Sequence, residues 1–277
     1  MRGLLRCCAS PPFLLAIALA CASLRADAAA ASNSADGGLG KIPSTERYQL
    51  LWDQGFDLPP GSHLRFVKIG ETTSDAGHLL RYRIFADAAQ EGIPYVLGVW
   101  RIGTDIEDLQ VLSESAYVNR KGLVLNNPPN PGQQDATELT DGSEAVVDIK
   151  AAKGEPVRFV LRTQDSTTMI GGTLVPFPID STDKSCRLRA LLGDPDANSV
   201  LLYADGFVPN SVLTVQSDSQ GATHERTIYT DANGHGSVID APHVKGMATG
   251  TATESIHAKG CAVSVSVPWG AGSFHPM

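Results

Sequence analysis

Asp194-Pro-Asp-Ala-Asn198 sets oxygen-bearing side chains at alternate positions, and Asp205 follows Asp194 by eleven residues, where a calcium loop supplies its last ligand. The oxygens of Asp194, Asp196, Asn198 and Asp205 would suit a hard divalent cation. Ser199, however, stands where such a loop needs its turn glycine, and Val200 to Tyr203 read as a strand. An ordinary Asp/Asn turn fits better. Asp231-Ala-Asn-Gly-His-Gly236 matches less well, with His235 at a ligand position and Pro242 where an acid is required. Neutral imidazoles are common metal ligands, and His224, His235 and His243 could gather around one hairpin. A tight turn there leaves His224 far from the tip, and no second histidine follows His224-Glu225 at the zinc-protease spacing. No metal or other cofactor is therefore expected.

Nucleophilic and phosphate chemistry leave no linear trace. Downstream of residue 28 there is no Gly-x-Ser-x-Gly elbow, no glycine-rich phosphate loop and no paired-cysteine zinc motif. No catalytic residue is assigned. Among the aromatics Trp52, Tyr95, Trp100, Tyr117 and Trp269, which could stack on sugar faces, all but Trp269 read as core. Trp269 lies just beyond the apparent last strand and is the candidate surface-binding residue, the alternative being a plug at the end of the fold.

The cysteines report compartment and architecture. Arg2 and Arg6 precede the apolar run 11–22, and Ala26-Asp-Ala28 has the form of a cleavage site, so residues 1–28 read as a signal peptide. Ala18-Leu-Ala-Cys21 loosely resembles a lipoprotein box, which makes a lipid tether at Cys21 the alternative. Its leucine stands two positions before the cysteine instead of three, which favours simple cleavage. Cleavage leaves Cys186 and Cys261 as the only pair, and an exported chain implies that they form a disulfide. In Cys261-Ala-Val-Ser-Val-Ser-Val267 and in Cys186-Arg-Leu-Arg-Ala-Leu-Leu192 the alternation turns both cysteines toward the core. Both open their strands, which predicts parallel neighbours or facing strands. The closed loop of about 76 residues would contribute about 4 to 5 kcal/mol in the chain-entropy model.

The whole chain carries a formal charge of −8, and residues 29–277, with 19 basic and 29 acidic residues, carry −10. That balance argues against nucleic acid and anionic membrane surfaces as partners. The leader run is too short to span a bilayer, and no second apolar stretch reaches the required length of about 20 residues, so no membrane span is expected.

The elements that must position these residues are almost all strands. One short helix is expected within 44–55. After it, period-two segments occur at Leu64–Ile69, Leu79–Phe85, Tyr95–Ile102, Leu109–Leu112, Gly122–Leu125, Ala145–Ile149, Val157–Arg162 and Met169–Val175. They continue at Cys186–Leu192, Val200–Tyr203, Val212–Gln216, Glu225–Thr230, Gly236–Asp240, Gly250–Ile256 and Cys261–Val267. Asn233-Gly234 predicts a tight hairpin pairing Tyr229 with Val238 and Ile228 with Ile239. Pro176 to Ser185 reads as an unpaired connector. Residues 126–143 form the longest unpatterned segment, either a functional loop or a mobile one, with mobile the expectation. The expected organisation is a signal peptide (1–28), a flexible linker (29–43), an N-terminal β-sandwich domain (44–176), a linker (177–185) and a C-terminal β-sandwich domain (186–270). The fold class is all-β with antiparallel sheets.

Ala204-Asp-Gly-Phe-Val-Pro-Asn-Ser-Val-Leu-Thr-Val215, the Asp231-Ala-Asn-Gly234 turn, Gly250-Thr-Ala-Thr253 and the final valine strand give the C-terminal half its likeness. Over about 85 residues it resembles the immunoglobulin-like modules of bacterial extracellular proteins. It departs from antibody domains in that Trp269 does not lie between the cysteines. The resemblance implies spacing, adhesion or partner binding and carries over no catalytic residue. The expectation is a secreted or periplasmic, non-enzymatic structural or partner-binding protein of a bacterial cell envelope, its partner a protein or a glycan. The rivals are a secreted hydrolase with a carboxylate or calcium site, and a carbohydrate-binding module.

Overall fold

The computed structural model describes residues 63–74, 77–102 and 109–273, all within one compact unit. The expected signal peptide, the linker 29–43, the helix within 44–55 and Cys21 lie outside the described residues. Among the described residues there is no helix. In the described residues sixteen strands form antiparallel sheets. The first eight are β1 (Leu64–Ser74), β2 (Gly77–Ala86), β3 (Tyr95–Trp100), β4 (Gln110–Val118), β5 (Val124–Leu125), β6 (Val146–Ile149), β7 (Val157–Thr163) and β8 (Met169–Leu174). The others are β9 (Ile179–Asp183), β10 (Cys186–Leu192), β11 (Val200–Asp205), β12 (Val212–Ser219), β13 (Ala222–Tyr229), β14 (Gly236–Asp240), β15 (Thr249–Ala258) and β16 (Cys261–Gly270).

Every strand expected from the alternation is present, and β9 is additional. Residues 179–183 lie inside the expected connector yet pair with β10, with Arg187 opposite Thr182 and Arg189 opposite Asp180. Proline ends the extended run but does not forbid a strand beside it, because Pro178 precedes β9 and costs no ladder hydrogen bond. β4 also runs farther than its pattern suggests. Its pairing with β3 shifts register between Tyr95 and Gly98, which breaks a period of two where a reader would look for one.

The strands make four sheets, ordered β1-β2-β6, β5-β4-β3-β7-β8, β14-β11-β10-β9 and β13-β12-β15-β16. The first two share one apolar cluster that includes Leu80, Ile84, Leu97, Val118, Phe159 and Leu161. The last two share another, with Leu188, Leu192, Val200 and Leu202 from one sheet and Val215, Ile256, Val263 and Val267 from the other. Ile102 and Ile179 also belong to this second cluster. The chain is stitched across at Gly154, whose N–H donates to the Phe177 carbonyl while its own carbonyl accepts from the Leu192 N–H.

The expected Asn233-Gly234 hairpin does not form. β13 pairs with β12, so Tyr229 faces Val212 and Ile228 faces Leu213. β14 pairs with β11, so Val238 faces Leu202. The Asp231–Gly234 turn therefore carries the chain from one sheet to the other. Asp231 folds it by accepting the N–H groups of Asn233 and His235 on Oδ1, and the Asn210 N–H on its carbonyl. Crossing between sheets buries Ile228 completely in the shared cluster. The tight two-residue hairpin lies instead at Gln220-Gly221, between β12 and β13. Both residues have positive φ, 53° and 82°, as a type I′ turn requires.

Candidate functional site

Cys186 and Cys261 form the disulfide, with an Sγ–Sγ distance of 2.14 Å and Cα atoms 6.4 Å apart. Of the two expected geometries, facing strands is the one found, because β10 and β16 belong to different sheets. The bond joins the two sheets that share the C-terminal cluster. Around it Lys184 Nζ donates to the Gly260 carbonyl at 2.6 Å, and the Ala262 N–H donates to Asp183 Oδ2 at 2.9 Å.

Trp269 is buried, at 2% exposure, and its expected role as a binding surface gives way to packing. The period of two continues through Pro268, so Cys261, Val263, Val265, Val267 and Trp269 share the inward face of β16. Pro268 is tolerated because β16 is an edge strand. The indole N–H donates to Ser219 Oγ at 2.9 Å. A Cβ on Gly250, the residue opposite, would lie 2.4 Å from the indole ring, so glycine supplies the space. Tyr95 and Trp100 are also buried, which leaves no sugar platform among these three rings.

The acidic turn at Asp194 is held by its own carboxylate. Asp194 Oδ1 accepts the N–H groups of Asp196 and Asn198, both at 3.0 Å, and Oδ2 accepts the N–H and hydroxyl of Ser199 at 2.7 and 2.8 Å. Asp205 instead faces His235 Nδ1 at 2.9 Å. Asp194, Asp196, Asn198 and Asp205 are thus not gathered as calcium ligands. Among the described residues no group of three or more His, Cys, Asp or Glu side chains is placed to hold a metal ion. His224, His235 and His243 do not converge either.

Residues 126–143 are pinned, against the expectation of mobility. Buried Asn119 donates to the carbonyls of Gln133 and Ala136, and its Oδ1 accepts from Lys121 and Leu123. Buried Gln133 donates to Asp141 and Ser143. Hydrogen bonds of Ser143 hold the Asp141 carboxyl below the usual carboxylate range. A lone Asn in a loop gives no such signal in a sequence.

The densest polar group was not foreseen. Ser217 of β12, His224 and Arg226 of β13, Asp240 of β14 and Glu254 of β15 meet where the two C-terminal sheets approach. Period two sends each side chain inward, beside Val215, Ile228 and Ile256. Ser217, Asp240 and Glu254 are fully buried. His224 Nε2 lies 2.8 and 3.0 Å from the two Asp240 oxygens, and Arg226 Nε donates to Asp240 Oδ1 at 3.0 Å. The Ser217 hydroxyl donates to Glu254 Oε1 at 2.8 Å, while Glu254 Oε2 accepts from no donor and the protonated carboxyl hydrogen-bonds to Asp240. Burial, and then the charge of Asp240, push the Glu254 carboxyl up to about 8. Glu254 therefore holds its proton at neutral pH. An acidic residue at an inward position of an otherwise apolar alternation, as in Thr-Ala-Thr-Glu-Ser-Ile, was the signal available.

On the outer surface at the same two strands, Val212 and Tyr229 form a cross-strand pair, 64% and 75% exposed. Val208 is 61% exposed, and its carbonyl accepts the hydroxyls of Ser211 and Thr230 at 2.6 and 2.7 Å. Two apolar side chains are thus exposed side by side at one end of the β12–β13 hairpin, with exposed Val208 in the connection that leads into it.

No protein-family model matches the chain, and no curated protein matches it.

Proposed function

We propose that the chain is a non-enzymatic structural or partner-binding protein exported to a bacterial cell envelope or its exterior, built from two β-sandwich domains, the second immunoglobulin-like. The observation that carries the binding role is the exposed cross-strand pair Val212 and Tyr229 on the β12–β13 hairpin, with exposed Val208 in the connection before β12. Single exposed apolar residues are ordinary, but a cross-strand pair of them marks an interaction surface. Asp231 lies in the adjoining turn, with its carboxyl held low by the N–H groups of His235 and Asn233. The matching partner is a protein that presents an apolar patch of its own. The Cys186–Cys261 disulfide fits an oxidising compartment. No helix among the described residues is long and apolar enough to cross a membrane.

The test replaces Val212 and Tyr229 together by serine and compares crosslinked partners in native cells. The reading expects loss of a discrete partner with the melting temperature unchanged. Recovery of the same proteins from both strains contradicts it.

A second reading, a hydrolase, draws on the pair in which buried Asp240 orients the partly exposed ring of His224. It requires that His224→Gln abolish a measurable hydrolysis while the fold persists.

A further inference from the structure

We propose that Ser217, His224, Arg226, Asp240 and Glu254 form a proton-controlled latch between the two C-terminal sheets, closed when Glu254 carries its proton and released when it loses it. The latch is independent of what the chain binds.

The geometry makes the proton decisive. Asp240 is the only polar inward residue that β14 contributes to the cluster, and it is gripped from the other sheet by His224 and Arg226. Those contacts draw the edges of the two sheets together. Glu254 stands beside them, with one oxygen accepting from Ser217 and the other receiving no donor, so that only its own proton can bridge it to Asp240. The surrounding strands supply no further compensation. β10 and β11 face the cluster with Leu188, Ala190, Leu192, Val200, Leu202 and Ala204, and the β16 residue opposite Glu254 is Val265. The charged groups acting on Glu254 are thus Asp240 and Arg226, with His224 held against Asp240. Ionising Glu254 places a second carboxylate in a dry site whose Arg226 already serves Asp240. Like charges so placed repel, and a buried charge without a partner is costly. Relief comes from admitting water, which requires the β13 and β14 edges to part.

The sign follows from proton linkage. The buried carboxyl titrates near 8, above its ordinary value of 4.5, so the closed form binds more protons than the open form between those limits. The contribution of the Glu254 proton is fully present below about 4.5, diminishes as pH rises and is lost above about 8. Over that interval the opening constant rises about tenfold per pH unit.

Amide exchange of the oxidised full chain, corrected for intrinsic base catalysis, measures this opening residue by residue. The expected result is that β12–β15 amides near the cluster open about tenfold more for each pH unit from 5 to 8, while amides in β7 do not. In Glu254→Gln the slope disappears. Should that variant not fold, the side-chain 13C shift of Glu254 in the wild-type protein gives the same answer by titrating near 8. A flat opening constant in the wild type, an unchanged slope in Glu254→Gln, or titration of Glu254 in the ordinary carboxylate range overturns the proposal.

Discussion

Trp269 and Glu254 occupy inward positions of adjacent strands and illustrate what one residue can cost this fold. Replacing Trp269 by Ala removes a buried ring and leaves Ser219 Oγ without its donor, so urea unfolding should show a loss of about 3 to 5 kcal/mol. Gly250→Ala should destabilise through the same contact, because the new methyl meets the indole. Tyr229→Ser, in contrast, removes an exposed ring and should change stability by no more than about 0.5 kcal/mol while weakening partner capture. Burial separates these outcomes, since all three residues lie on strands of one sheet.

At the level of elements, carboxylates fold the turns. Asp194→Ala would strand the N–H groups of Asp196, Asn198 and Ser199, and the same loop anchors the Gly270 N–H through the Asp196 carbonyl. Loss of about 1 to 3 kcal/mol and earlier melting of the β16 terminus, read by amide exchange, are expected. Asn119→Ala should release residues 126–143 and make them the first site of limited proteolysis, whereas the wild-type loop resists. Acid acts on the turns in the opposite sense to the latch. The Asp231 and Asp141 carboxyls are held low in the folded chain, so their contribution is present above the ordinary carboxylate range and is lost as pH falls below it. A scan of melting temperature against pH should decline on both sides, through the turns below the ordinary carboxylate range and through Glu254 as pH rises from about 4.5 to about 8.

For the molecule as a whole, the disulfide closes the longest constraint. Both cysteines are largely buried, so reduction should be slow in the native state and should lower stability by about 4 to 5 kcal/mol once complete. Alternation along the sequence identified the strands and the inward face of each cysteine, because a period of two is a local property. It did not reveal which strands pair. Asn233-Gly234 carries the local signature of a hairpin, yet its neighbours join different sheets because that arrangement buries Ile228, a gain set by residues far away in sequence. Trp269 escaped for a related reason: Pro268 hides a strand that only its edge position permits. Only Glu254, an acid at an inward position of its strand, signalled the polar cluster; its five members come from four strands, and no spacing within one strand encodes their meeting.

On the proposed function, the outward contact of this chain would be made by Val208, Val212 and Tyr229. A photoreactive amino acid at position 229, compared in native cells with one at exposed position 81, tests this most directly. A discrete protein adduct from position 229, absent from position 81 and lost on adding Val212→Asp, is the predicted result. Identical adducts from both positions would contradict it.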